Sequence, residues 1–407
     1  MPDRVRRPQH ILILVENLSV PLDRRVWNEC QTLTEAGYEV SVVCPRGKRH
    51  DRELQTTIAG VRILRYPLPL IPGGLAAYSW EYGYSMNVTL ARMTALWARR
   101  PFDVIHACNP PDLFFLPAWP FRKRGVAFVF DQHDANPEIM VAKRGGEVRE
   151  GFPERVVRWA ERRTFAAADL VISPNESYRE IALTRGGAAP DDAVVVRSAP
   201  WLEEFDLGGS RPFDRRGHRF LVGYLGVMGK QDGVDVLLHA TDRLVRRGYD
   251  VLLYLVGSGE MFEELRGLAA SLGLTDRVLM PGFQDPRQFT PILRSADVCV
   301  APDPPGPFNS ISTMNKLVEY MALGRPCVSF DLRENRVTGG DAAVFAGEPT
   351  ADGLAAAIAG LLDDEPRRER LAAAARARFE SDLCWERSAP HLIAAYERLA
   401  EKTAARG

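Results

Sequence analysis

The sequence predicts an α/β protein built on two doubly wound parallel sheets, and three observations carry that reading. Short β-branched runs alternate with helical stretches of ordinary length, the pattern that lays strands side by side with helices over both faces. The pattern runs twice, interrupted at 201–218, where polar, Gly and Pro residues replace the apolar periodicity. The chain of 407 residues is also too long for one ordinary core, so two domains of about 200 residues each are expected.

Taken in order, ILILV (11–15) is the first strand. The helix that follows, from Arg24 to Ala36, repeats apolar residues at Val26, Cys30, Leu33 and Ala36, and Gly37 stands where helices commonly close. EVSVVC (39–44), DVIHAC (103–108), AFVFDQH (127–133) and DLVISP (169–174) complete the first set of strands. RFLVGYLG (219–226), DVLLYLVG (250–257), RVLMPG (277–282), ADVCVAP (296–302) and PCVSF (326–330) form the second. Ala-rich helices follow at 352–380, and 384–402 is one more amphipathic helix through Trp385, Ala389, Leu392, Ile393, Tyr396 and Leu399. The expected division is 1–205, 206–383 and a terminal helical segment 384–407.

Lys and Arg number 52 against 53 Asp and Glu, a balance that argues against a nucleic-acid partner. Six cysteines lie far apart with no C-x-x-C pair, which fits a reduced cytoplasmic protein without a metal centre. ILILV is too short for a signal-peptide core, and no run of about 18 apolar residues predicts a membrane span. Segment 66–101 combines Tyr78, Trp80, Tyr82, Tyr84 and Trp97 with Arg92, Arg99 and Arg100. Two readings of it stand side by side: a surface touching the inner face of a membrane beside a lipid-linked acceptor, or a buried helix with a solvated basic side.

In paired doubly wound domains ligands sit at the carboxyl ends of strands, so the loops there are where chemistry is sought. GSGE (257–260) places Gly257 and Gly259 where backbone can approach a ligand, although such turns serve packing nearly as often. YLGVMGKQDGVD (224–235) sets Lys230 among glycines, where its ammonium meets a diphosphate or simply solvent. NKLVEYMALGRP (315–326) puts the carboxylate of Glu319 inside an apolar helical pattern, with Asn315 and Lys316 opening the turn.

The succession of RFLVGYLGVMGKQDGVDVLLHA, VLLYLVGSGEMFEELRGLAASLGLTDRVLMPGF, FTPILRSADVCVAP and NKLVEYMALGRPCV resembles the second domain of family 4 glycosyltransferases, which have the GT-B fold. DVIHACNPPDL, FDQHDANPE and ADLVISPNES resemble that family's first-domain strand ends, in the same order. The resemblance implies two Rossmann-like domains facing a cleft, the first binding acceptor and the second a nucleotide-sugar donor, with the C-terminal helix crossing back to the first. It implies that Glu319 receives ribose hydroxyls and that Asn315 and Lys316 reach phosphates or sugar. His133, beside Asp134 and Glu138, would contact the donor sugar near the reacting carbon, and Phe283 would pack near the base. Lys230 and the helix beginning near Asn315 would stabilise the leaving diphosphate. The implied reaction is retaining transfer of a hexosyl or N-acetylhexosaminyl group, from a UDP-sugar to a saccharide or lipid-linked acceptor. It uses neither metal nor cofactor.

Three departures from the family pattern bear on this. Ile311 stands where the family has an acid for the transferred sugar, leaving Asn309, Ser310 and Ser312 as the nearest polar candidates. Val227 and Asp232 stand where an Arg and a Lys commonly hold the diphosphate, so Lys230 is the expected replacement. ENLSVPLDRR (16–25) lacks a Gly-Gly pair, leaving Asn17, Ser19, Arg24 and Arg25 to present N–H groups and charge to an anion. His106 has the same strand-end placing as His133 and is read as supporting the site or facing the acceptor. A GT-B nucleotide-sugar epimerase and a non-catalytic GT-B subunit that binds a sugar nucleotide or a partner are the alternatives.

Overall fold

The protein is described by a computed structural model covering residues 10–47, 51–69, 75–144, 146–205 and 213–405. Residues 206–212 of the predicted boundary, residues 70–74 and the side chain of Tyr78 lie outside the described residues. Two compact units divide the chain: residues 1–137, 149–198 and 388–407 form one, and 138–148 with 199–387 the other.

The first unit carries an eight-stranded sheet of β1 (His10–Leu14), β2 (Glu39–Pro45), β3 (Gln55–Ile58), β4 (Val61–Tyr66), β5 (Val104–Cys108), β6 (Ala127–Asp131), β7 (Leu170–Ser173) and β8 (Ala193–Val195). Their spatial order is β3-β4-β2-β1-β5-β6-β7-β8, parallel throughout except for the antiparallel β3–β4 edge hairpin. All five residues of β1, β5 and β6 are buried, as expected of strands covered on both faces, which therefore read as unbroken apolar runs. The helix Arg24–Glu35 starts where the Asp23 carboxylate accepts the Val26 N–H at 3.2 Å and ends at Ala36, with Gly37 at φ +90°.

The second unit holds β9 (Phe220–Leu225), β10 (Val251–Val256), β11 (Val278–Gly282), β12 (Val298–Ala301), β13 (Cys327–Phe330) and β14 (Ala343–Ala346), in the order β11-β10-β9-β12-β13-β14. Successive residues of β9 feed separate cores on the two faces of the sheet. Val222 and Tyr224 join one, and Leu221 and Leu225 join the other together with the helix Asn315–Ala322. Tyr320 of that helix locks it in place, its hydroxyl donating to the Val300 carbonyl at 3.1 Å and accepting the Leu225 N–H at 2.9 Å.

Strands β3, β8 and β14 escape the sequence reading because each is short, and QTTI in β3 is polar and partly exposed, without an apolar face to announce it, while the longer and mostly buried VRILRY of β4 is passed over with its hairpin partner. The segment containing the aromatic–basic pattern is the helix Leu75–Arg99. It buries Ser85, Met86, Thr89, Met93 and Leu96 on one side while Trp80, stacked on Tyr84 at 5.5 Å, is exposed. Among the described residues no helix is long and apolar enough to cross a membrane. The terminal helix Trp385–Ala404 begins in the second unit and continues into the first from Ser388. All six cysteines are free and buried.

Candidate active site

In the first unit, the ends of β5 and β6 and the first turns of the Arg24–Glu35 helix bring six polar side chains together. Asp131, the last residue of β6, is fully buried. Its two oxygens accept the fork of Arg25, at 2.6 Å from Nη2 and 3.1 Å from Nε. The remaining Arg25 nitrogen donates to the Val196 carbonyl at 2.8 Å and the Ser198 hydroxyl at 3.0 Å. His133 closes on the same carboxylate through Nε2. His106 lies behind it, with Nε2 3.5 Å from both Asp131 and Glu29, and its Nδ1 is hydrogen-bonded to the Tyr396 hydroxyl at 2.7 Å.

Electrostatics assigns the charges. Burial pushes the Asp131 carboxyl upward, but Arg25 and His133 outweigh it and hold the group well below the usual carboxylate range. Burial, reinforced by the Asp131 charge, pushes the Glu29 carboxyl well up, and burial lowers His106. Arg25 and Asp131 therefore form the charged pair at the centre of the cluster, while burial works against charge on Glu29 and His106. Glu29, His106, Cys108 and Asp131 have ligating atoms within 4.8 Å of one another. Arg25 already supplies the compensating cation there, and burial keeps the Cys108 thiol protonated.

Asn109 holds the turn bearing His133 and Asp134. Its Oδ1 accepts both backbone N–H groups, at 2.7 and 3.0 Å, and its Nδ2 donates to the Asp134 carbonyl at 2.8 Å. Sequence reasoning did not single out Asn109 or Asp131, although both lie in the quoted strand-end segments. A polar residue at the last buried position of a strand was the available signal.

The predicted anion loop separates. Asn17 and Arg24 are exposed, the Ser19 hydroxyl donates to Asp51 at 2.9 Å, and Arg25 turns inward. An arginine expected to meet an anion is thus neutralised inside the protein, because both hydrogen bonds of its fork go to the buried Asp131 carboxylate. Glu16, in the same loop, is buried with its Oε1 accepting from Ser85 at 2.9 Å. Burial raises its carboxyl from 4.5 to about 7, against the Ser85 hydrogen bond and helped by the Glu81 charge. A raised carboxyl favours folding while protonated, so this contribution is complete below about pH 4.5 and is lost as pH rises through about 7. Glu16→Gln is expected to gain a few degrees of Tm over the parent at pH 8, with the gain shrinking toward pH 5 in parallel thermal melts. An equal difference at both pH values removes Glu16 as the source.

In the second unit, two strand-end turns and one helix meet. After β9, the Asp232 carboxylate accepts the Gly229 N–H at 2.9 Å, closing the turn that exposes Lys230. Lys316, in the first turn of the Asn315–Ala322 helix, is buried with Nζ 2.5 Å from Asp303, 3.5 Å from Asp232 and 5.3 Å from the centre of the Tyr224 ring. Burial alone would lower the Lys316 ammonium, but Asp303, Tyr224 and Asp232 raise it. Lys316, expected to reach phosphates or sugar, therefore has its charge answered within the protein, whereas Lys230 makes no ion pair among the described residues. Asp303, missed in the sequence, follows β12 after Pro302.

Glu319 is buried one turn beyond Lys316, and Asn315 is exposed at the helix start. Ser312 is buried with its hydroxyl donating to the Phe308 carbonyl at 2.9 Å, and Asn309 donates to Gln231 and Pro304 carbonyls, both at 2.8 Å. Ile311 is half-buried, and Phe283 is largely exposed. Gly257 and Gly259 have a packing reason of their own. A Cβ on Gly257, at φ +135°, would lie 1.8 Å from the Gly226 carbonyl oxygen, and one on Gly259 would lie 2.4 Å from that of Met228. The turns after β9 and β10 touch backbone to backbone.

At the level of fold this is a GT-B protein. It is similar to sucrose-phosphate synthase of Thermosynechococcus elongatus over 97% of this chain and 100% of that one, with a TM-score of 0.77 at 20% identity. HepE of Anabaena, solved in complex with UDP, is similar over 98% of this chain and 100% of its own, with a TM-score of 0.67 at 15% identity. Residues 22–199 match the glycosyl transferase 4-like domain and residues 219–364 the glycosyl transferases group 1. The phosphatidyl-myo-inositol mannosyltransferase of Mycolicibacterium smegmatis is 35% identical over 376 residues, 90% of this chain and 87% of that one. The chain belongs to the group 1, or family 4, glycosyltransferases, which transfer a sugar from a nucleotide-sugar donor.

Proposed function

We propose that the chain is a retaining, metal-independent transferase that moves a hexosyl or N-acetylhexosaminyl group from a UDP-sugar to a saccharide or lipid-linked acceptor. The single observation that carries the donor assignment is the division of labour between two lysines: Lys316 is neutralised by Asp303, and Lys230 is exposed on the adjoining turn. With the Lys316 charge already answered inside the protein, the solvent-facing Lys230 is the cation on this turn left to meet a diphosphate and stabilise it as it leaves. The UDP complex of HepE supports uracil as the donor's base, and the mannosyltransferase relative, by its name, supports a lipid-linked acceptor.

In this reading residues 1–205 bind acceptor and 206–383 bind donor, with the protein working in the cytoplasm at the inner face of the membrane. The bond from the anomeric carbon to the diphosphate oxygen breaks, and the acceptor oxygen bonds to the same face of that carbon. The acceptor proton passes to the departing phosphate. His133, held by Asp131, and Asp134, held by Asn109, face the reacting sugar. Lys230 takes the charge that builds on the diphosphate, and Glu319 accepts the ribose hydroxyls. Asn315, Gly257, Gly259, Ser312 and Phe283 complete the donor side.

Glu319→Ala is expected to raise the calorimetric Kd for UDP about tenfold, the cost of hydrogen bonds to a charged acceptor. An unchanged Kd removes the ribose role. UDP release dependent on acceptor supports transfer, and release-free interconversion of UDP-sugars favours the epimerase. UDP binding without turnover across an acceptor panel favours the non-catalytic subunit, the reading to which Ile311 and the exposed Val227 lend weight.

A further inference from the structure

The helices Phe115–Arg122 and Phe152–Ala167 of the first unit present a surface that the donor and acceptor assignments leave unused. They meet through Phe115 and Trp159, whose rings pack edge to face at 5.8 Å. On their outer side Phe152 is 73% exposed, Trp119 61%, Leu116 49% and Trp159 42%. Single exposed apolar residues are ordinary, but four large ones on two touching helices form a patch of the kind that marks an interaction surface.

Charge says what covers it. Phe152, Val156, Trp159 and Arg163 follow one another at helical spacing of four, three and four residues, a single stripe along the second helix. Arg155, Arg158 and Arg162 are exposed beside that stripe. The two acids of this helix are held elsewhere: Glu154 accepts the Gly151 N–H at 2.9 Å, and Glu161 is buried against Arg185 at 2.7 Å. At the end of the first helix, Lys123 lies over the Trp119 ring at 5.4 Å and Arg124 is exposed. In a chain whose formal net charge is −1, this face concentrates cations around aromatic rings.

We propose that this two-helix face docks on an anionic lipid bilayer. Tryptophan and phenylalanine suit the boundary between headgroups and acyl chains, and arginines flanking them meet lipid phosphates while their stems lie against apolar surface. A protein partner would need acids set opposite the arginines in fixed places, whereas a bilayer supplies mobile anions and an apolar layer together. The predicted membrane surface at 66–101 is a different helix, and its Trp80 provides the comparison. The proposal stands independently of donor and acceptor chemistry.

Flotation of the full chain with vesicles tests it. The protein is expected to rise with mixed phosphatidylcholine and phosphatidylglycerol at low salt, and to stay down with phosphatidylcholine alone or in high salt. Trp119→Ser with Trp159→Ser should abolish flotation, and Arg155→Glu or Arg162→Glu should each lower partition at least about fivefold, the loss expected for one cation near an anionic surface. All these sites are solvent-exposed, and unchanged thermal melts confirm the variants as folded. Trp80→Ser should float like the parent. Failure to float with either vesicle overturns the proposal, as does loss of flotation on Trp80→Ser alone. A lipid-free dimer in sedimentation that the double tryptophan change dissociates also overturns it, because a second copy then covers the face.

Discussion

Lys230→Ala is expected to fold as the parent does and to transfer sugar about a hundredfold more slowly, the usual cost of removing one group that stabilises transition-state charge. The side chain is exposed, so its loss should change stability by no more than about 0.5 kcal/mol. Its neighbour cannot take over. Lys316 Nζ sits 2.5 Å from Asp303 and 3.5 Å from Asp232, and drawing it toward a ligand would strand a buried carboxylate. Lys230→Arg keeps a cation on the same turn and should recover part of the rate. The measurement is acceptor-dependent UDP release at saturating donor, alongside a thermal melt. A near-parent rate in Lys230→Ala would hand the leaving group to another residue.

Arg25→Met should destabilise the protein by about 3–5 kcal/mol, because it removes the cation from a buried carboxylate. Asp131 is fully buried, and the guanidinium accounts for two of its hydrogen bonds. Without Arg25 the carboxyl must remain charged in an apolar setting or take up a proton, and either way the hold on His133 changes. Adding Asp131→Asn should return part of the loss, since it removes the stranded charge. The readout is the urea midpoint of each single variant and of the pair. A loss below about 1 kcal/mol, or no recovery in the double variant, would mean that water rather than Arg25 keeps Asp131 ionised.

Much of this was legible beforehand because burial on both faces writes parallel strands as unbroken apolar runs. DVIHAC and AFVFDQH in the first set and RFLVGYLG and DVLLYLVG in the second coincide with β5, β6, β9 and β10. The helix Arg24–Glu35 carries its own punctuation in Asp23 and Gly37. Strand β3 has no such signature, since its alternation is short and polar. The strand ends were also visible as the place where polar chemistry gathers. Which of those side chains face a ligand, and which answer each other's charge, was not visible.

The amino-acid sequence by itself determined the two doubly wound sheets, the glycosyltransferase family, the strand-end turns that carry His133, Asp134 and Lys230, and the helix that carries Glu319, because each depends on local periodicity and on motif order along the chain. Only the tertiary structure decided that Arg25 belongs to Asp131, Lys316 to Asp303, and Gly257 to the Gly226 carbonyl. Those pairings join residues from 13 to 106 positions apart. Charge neutralisation in a desolvated interior depends on distances of a few ångströms in space, and separation along the chain carries no record of them.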